Sequence, residues 1–240
     1  MKLRSKLSIW GAVLVLTTVF VSADTIHIGS YATTGPTFGN DNTPMRFVPG
    51  LSTPIPGFTP TSATEDVPPG NVWNSSLTST SSWVSYGQTG PTTPAAGQPG
   101  GHFALNGQYL FATDFTLNGN ATSYSFSVLA DDTTRVYLDG NPVNLFISFP
   151  SGPNHICQIE QPNCKDVLTV ITTPQGLSLL TAGTHELDFL VFQFASIDMG
   201  VDCVGTINTA GTTTPEPSAL LLFGSGLLGL GGTIRRRLKG

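Results

Sequence analysis

Positive charge is the scarcest thing in this chain. Lys and Arg together number 10 in 240 residues. Lys2, Arg4 and Lys6 stand at the start, and Arg235, Arg236, Arg237 and Lys239 at the end. Residues 24–214 keep only Arg46, Arg135 and Lys165 against fourteen acidic residues, which leaves a net charge near −11. A nucleic-acid partner needs clustered cations to displace counterions, so that class is excluded. The acidity suits calcium, a basic surface or plain solubility equally well. Cysteine is scarce too, with Cys157, Cys164 and Cys203 alone. No Cys-x-x-Cys pair occurs, so no zinc site is expected. Also missing are a Gly-x-Ser-x-Gly elbow, a phosphate-cradling glycine loop and a dinucleotide fingerprint. Helical apolar periods and fixed-length repeats are absent, which excludes an open sheet alternating with helices and a solenoid.

What remains is Val, Leu, Ile and Phe in short runs, punctuated by Gly, Pro, Asn, Ser and Thr. That is the composition of strands joined by turns. Residues 31–100 are loop-rich, holding eleven of the 18 prolines and four charged residues. A flexible stalk and loops laid over a β domain both fit; Trp73, Trp83, Phe38, Phe47 and Phe58 favour the loops, because disordered linkers carry few aromatics. From about residue 101 to 207 the pattern sharpens. Tyr124, Phe126, Val128 and Ala130 alternate with Ser123, Ser125, Ser127 and Leu129, the period of a half-buried strand. Val136 and Leu138 point inward and Arg135 and Tyr137 outward, followed by an Asp139-Gly140-Asn141 turn. "DVLTVIT" reads as another strand. Phe189 to Val191 is apolar on both faces, as in a central strand. The expected fold is all-β, an antiparallel β-sandwich spanning 24–214.

Four stretches resemble a known ectodomain: "WVSYG", "YLFATDFTL", "FSVLADDTTRVYLDGN" and "AGTHELDFLVF". They are similar to the galactose-binding-like jelly-roll block common in bacterial PEP-CTERM proteins. The likeness runs from about Trp83 to Val204 and implies a jelly-roll-like sandwich. The loop-rich segment before Trp83 and the inserted "HICQIEQPNC" depart from it.

Both ends carry targeting chemistry. A charged start, an apolar Leu7–Val21 and a small-residue exit at Val21-Ser22-Ala23 describe a secretory signal peptide over 1–23. An uncleaved anchor is the alternative. The final segment, 215–240, opens with Pro215-Glu216-Pro217. It continues as sixteen uncharged residues, 219–234, and closes on Arg235, Arg236, Arg237 and Lys239. As a helix the apolar run spans about 24 Å against a hydrocarbon core of roughly 30 Å, a marginal transmembrane segment. The basic cluster holds its far end in the cytoplasm. The prolines keep the preceding backbone extended and open to a processing enzyme. The three parts in this order resemble the PEP-CTERM sorting signal. The resemblance implies an exosortase as partner, cleavage near the motif, and delivery to the surface or matrix of exopolysaccharide-producing bacteria. A plain C-terminal anchor is the alternative.

Candidate chemical groups are few. Cys157 and Cys164 flank a short polar loop and form the disulfide candidate. Closing it contributes about 2–3 kcal/mol, and pairings with Cys203 stay open. Asp131-Asp132 can ligate calcium or act as acid and base, but a strand-ending turn held by Asp side chains is expected. Glu186 and Asp188 share a strand face and could form a glycosidase pair; a solvated strand edge is expected instead. His27, His102, His155 and His185 show no metal spacing. Trp73, Trp83 and Tyr86 could stack on sugars, with packing the expectation. The sequons at Asn74 and Asn120 carry no weight in a bacterial chain. No cofactor, metal or catalytic residue is expected. The reading is an exported, noncatalytic surface or matrix protein, held in the inner membrane by its tail before sorting and able to bind exopolysaccharide. The alternative is an extracellular carbohydrate-active enzyme using an acidic pair.

Overall fold

The computed structural model describes residues 23–91, 102–140, 162–194 and 198–211. The expected signal helix through Ser22, the sorting motif, the 219–234 span, the basic cluster and Cys157 lie outside them. Among the described residues no helix is long and apolar enough to cross a membrane.

Ala23–Gly211 forms a single compact unit. Among the described residues ten strands supply its frame: β1 Asp24–Gly29, β2 Arg46–Phe47, β3 Glu65–Asp66, β4 Val84–Ser85, β5 Gly107–Leu117, β6 Ala121–Asp131, β7 Thr133–Leu138, β8 Leu168–Ile171, β9 Gly183–Gln193 and β10 Gly200–Thr209. One antiparallel sheet has six strands in the order β3-β4-β10-β6-β8, with β1 also paired to β10. β1 runs along Val204–Thr209 of β10, and β4 meets Val201 on the same strand. The second sheet has the order β2-β5-β9-β7, again antiparallel.

Alternation explains how the sheets meet. Tyr124, Phe126, Val128 and Ile207 of the first sheet share a core with Phe111, Phe115, Val136, Phe189 and Val191 of the second. Each large side chain removed from water there contributes about 1.5–3 kcal/mol. The all-β expectation holds, with two antiparallel sheets packed face to face. β9 lies between β5 and β7, as its two-sided apolar run requires.

The proline-rich segment wraps this frame. Trp73 and Trp83 are buried and their rings stack at 4.3 Å, packed with Val67 and Leu129. Leu129 faces away from Val128, so the tryptophans cover the outer face of the six-stranded sheet. Phe47 and Tyr86 stack at 3.7 Å inside the main core.

Two features go beyond the sequence expectation. A six-residue helix, α1 Pro174–Leu179, follows β8. Thr173 caps it by accepting from the Gly176 N–H at 3.1 Å, and Pro174 sits where its missing donor costs nothing. So short an element shows no period in sequence. The other feature is the outer edge of β1. Asp41 accepts from the His27 N–H at 2.7 Å, and its own N–H donates to the His27 carbonyl at 2.8 Å. The Asn42 amide both accepts from the Gly29 N–H and donates to its carbonyl, each at 3.0 Å. The two side chains and the Asp41 N–H thereby take hydrogen bonds that a neighbouring strand would make at His27 and Gly29.

Candidate functional site

Acidic side chains collect at two places. The first is the end of the sandwich where β6 passes to β7 and β9 to β10. Asp131 ends β6, Thr133 begins β7, and the Asp131–Asp132 peptide is cis. The turn is there as expected, but its carboxylates are not solvated: Asp131, Asp132 and Asp198 are all buried. The Trp73 indole N–H donates to Asp131 Oδ2. Asp132 accepts from the Phe194 N–H at 2.7 Å, and its own N–H donates to the Phe192 carbonyl at 2.9 Å. Burial pushes the Asp131 acid well above its usual range. The neighbouring Asp132 adds to this, and the indole works against it. Burial also raises Asp198 to about 6. The Thr133 hydroxyl is buried with no hydrogen-bond partner among the described residues. Among the described residues, no three His, Cys, Asp or Glu side chains are grouped to hold a metal ion.

The second place is the outer face of the four-stranded sheet, and it corrects the expectation for Glu186 and Asp188. Their strand, β9, is interior rather than an edge. Register sets a row across all four strands: Arg46 beside Ala112, Ala112 beside Asp188, Asp188 beside Tyr137. In the next row Asp114 faces Glu186. Arg46 bridges that pair, with Nη1 2.8 Å from Asp114 and Nη2 against Glu186. Asp188 is 8 % exposed, and no described group donates a hydrogen bond to it. Its acid is raised to about 6, first by burial and then by Glu186, with Arg46 pulling the other way and Asp114 and Asp139 adding to the rise.

Other sequence candidates fall into packing roles. His185 is buried, its ring stacked on Phe115 at 5.4 Å. Its nitrogens lie 2.9 Å from Asp139 Oδ2 and 2.7 Å from the Thr181 carbonyl. His27 is exposed, and His155 lies outside the described residues. Trp73, Trp83 and Tyr86 are buried, so they are not sugar platforms. A shallow apolar pocket lies between Phe47, Pro49, Ile55, Phe58 and Tyr86, and no carboxylate lines it. Cys203 is a buried free thiol, its ionisation pushed up by burial and by Asp202. The expected partner of Cys164, Cys157, lies outside the described residues.

Sequence reading missed Arg46, Asp114 and Tyr137 as neighbours of Asp188, because only strand register brings them together. It also missed Asp202, which is fully buried and raised to about 6 by burial. The alternation of "GVDCVGTIN" placed Asp202 opposite Val201 and Cys203, a visible signal. Asp202 accepts from the Leu77 N–H and the Ser30 hydroxyl, each at 2.8 Å.

Residues 213–237 match the family model of the PEP-CTERM protein-sorting motif. The match supports an exported chain that an exosortase, a membrane enzyme, sorts and processes. No curated protein and no solved structure matches the chain.

Proposed function

We propose that this chain is a noncatalytic surface or matrix protein, built as a jelly-roll-like sandwich and delivered by its tail. The observation that carries this is the sorting motif over 213–237, joined to an all-β unit over Ala23–Gly211. In this reading residues 1–23 are a cleaved signal peptide. Residues 219–234 hold the chain in the inner membrane, with Arg235, Arg236, Arg237 and Lys239 on the cytoplasmic side. An exosortase reads Pro215-Glu216-Pro217 and releases the β unit to the surface or matrix, where it contacts exopolysaccharide.

The sandwich supports a binding role over a hydrolytic one. Asp131 and Asp132, the most tempting acid–base pair, are already engaged by Trp73 and Phe194. An acid and base for glycoside hydrolysis must instead face each other about 5–9 Å apart across an open cleft.

Intact-mass measurement of the protein recovered from native cells and their medium tests the reading. A released species ending near Pro217 is the expected result. Full-length chain confined to the inner membrane would reduce the tail to an anchor and refute the sorting route.

A further inference from the structure

The outer face of the four-stranded sheet holds a carboxylate with no described hydrogen-bond donor. Asp188 and Ala112 are the most enclosed residues of their row, at 8 % and 0 % exposure. Around them the side chains of Arg46, Asp114 and Glu186 are 32 %, 36 % and 41 % exposed. The Arg46 guanidinium is taken by Asp114 and Glu186. Arg135, the nearest other cation on this face, lies over the Phe192 ring at 5.9 Å. Three carboxylates therefore share one guanidinium, and the most enclosed of them receives no hydrogen bond from any described group. The Asp188 oxygens are not among the sealed polar atoms, and a ligand that brings a charged donor gains a charge-assisted hydrogen bond there. Beside Asp188 stands Tyr137, half-buried, its hydroxyl also without a partner among the described residues.

Each feature narrows the ligand. A net-negative patch selects a cation. A compact ammonium can bring several N–H donors to the one carboxylate of the patch that has none. The Tyr137 ring offers a π-face to a cation or to the C–H face of a pyranose. From this geometry we propose that the row Arg46–Ala112–Asp188–Tyr137 is a subsite for an amino sugar, its ammonium on Asp188 and its ring against Tyr137. This rests on the matrix-binding reading above and names the sugar chemistry that reading would use.

The test is calorimetric titration of the full-length chain in detergent at pH 7 with a glucosamine tetrasaccharide. Its N-acetylated counterpart and tetralysine serve as competitors in chemistry. The glucosamine tetramer is expected to bind at least tenfold tighter than either. Asp188→Asn and Tyr137→Ala should each weaken it at least tenfold while the thermal midpoint stays in place. Tyr137→Phe should keep most of the affinity. Should Asp188→Asn fail to fold, the Tyr137 pair still decides. Equal binding of the acetylated tetramer would overturn the ammonium assignment, and tetralysine binding as tightly would overturn the sugar. Unchanged binding in both Asp188→Asn and Tyr137→Ala would place the ligand elsewhere. If the wild type and Asp188→Asn retain the native extracellular polysaccharide equally, the subsite is refuted while the matrix reading stands.

Discussion

Trp73 donates its indole N–H to the carboxylate of Asp131, 58 residues further along the chain. One side chain of the proline-rich wrapping thereby fixes the end of β6, where the chain crosses from one sheet to the other. Its ring also packs against Trp83, so anchoring and burial act through the same residue.

Trp73→Phe keeps most of the ring and removes the donor. The expected loss is about 1–3 kcal/mol at pH 7, the cost of removing a donor from a buried carboxylate. The indole favours the ionised form of Asp131. The loss should therefore shrink at pH 5, where the acid is more readily neutral. Urea unfolding of wild type and variant at the two pH values checks both parts.

Acid should stabilise this fold rather than loosen it. Asp188, Asp198 and Asp202 are each raised to about 6 from a usual 3.8. The folded chain thus holds these protons more tightly than the unfolded chain. Their stabilisation is complete below about pH 4 and is lost as pH rises through 6. For the fully buried Asp202 the gain from pH 7 to pH 5 is about 1 kcal/mol. Denaturant midpoints should rise across that window. Asp202→Asn should flatten its share of the slope, and lower stability overall because an amide NH2 cannot accept from the Leu77 N–H.

Native peptide mapping without reductant should link Cys157 to Cys164 and leave Cys203 as the free thiol. Cys203 should resist alkylation until the fold is opened, since the thiol is buried and its ionisation is pushed up. Reduction of the bridge should cost about 2–3 kcal/mol on the chain-entropy account. A labelled Cys203 in the folded protein would contradict the core packing described for β10.

Gly205 faces Phe126 across the β10–β6 pair, and a Cβ there would stand 2.1 Å from Phe126 Cδ1. Gly205→Ala should destabilise by about 1–3 kcal/mol through overpacking, and pairing it with Phe126→Leu should recover part of that loss. Thermal melts of the single and double variants measure the coupling.

What could be read from the sequence follows from how local each feature is. Alternation at Tyr124, Phe126, Val128 and Ala130 gave β6 and its buried face directly, and the two-sided apolar run gave β9. Strands β2, β3 and β4 are two residues each, too short for any period, so the proline-rich segment read only as loops. β1 is hard to read in the sequence because "DTIHIG" has just two buried apolar side chains. The Asp188 row was hidden for another reason. Glu186 and Asp188 visibly share a face, but whether that face belongs to an edge or an interior strand depends on pairing with Tyr137 on one side and Ala112 and Asp114 on the other, far away in sequence. The Trp73–Asp131 bond is equally nonlocal.

The sealing of β1 by Asp41 and Asn42 bears on life outside the cell. A secreted β protein reaches high local density, where a bare strand invites a sister molecule to dock edge to edge and begin a fibril. Here the His27–Gly29 part of that docking ledge is already occupied by Asp41 and Asn42. Crowding among copies finds a shortened template along the first strand, which favours association through faces over backbone pairing.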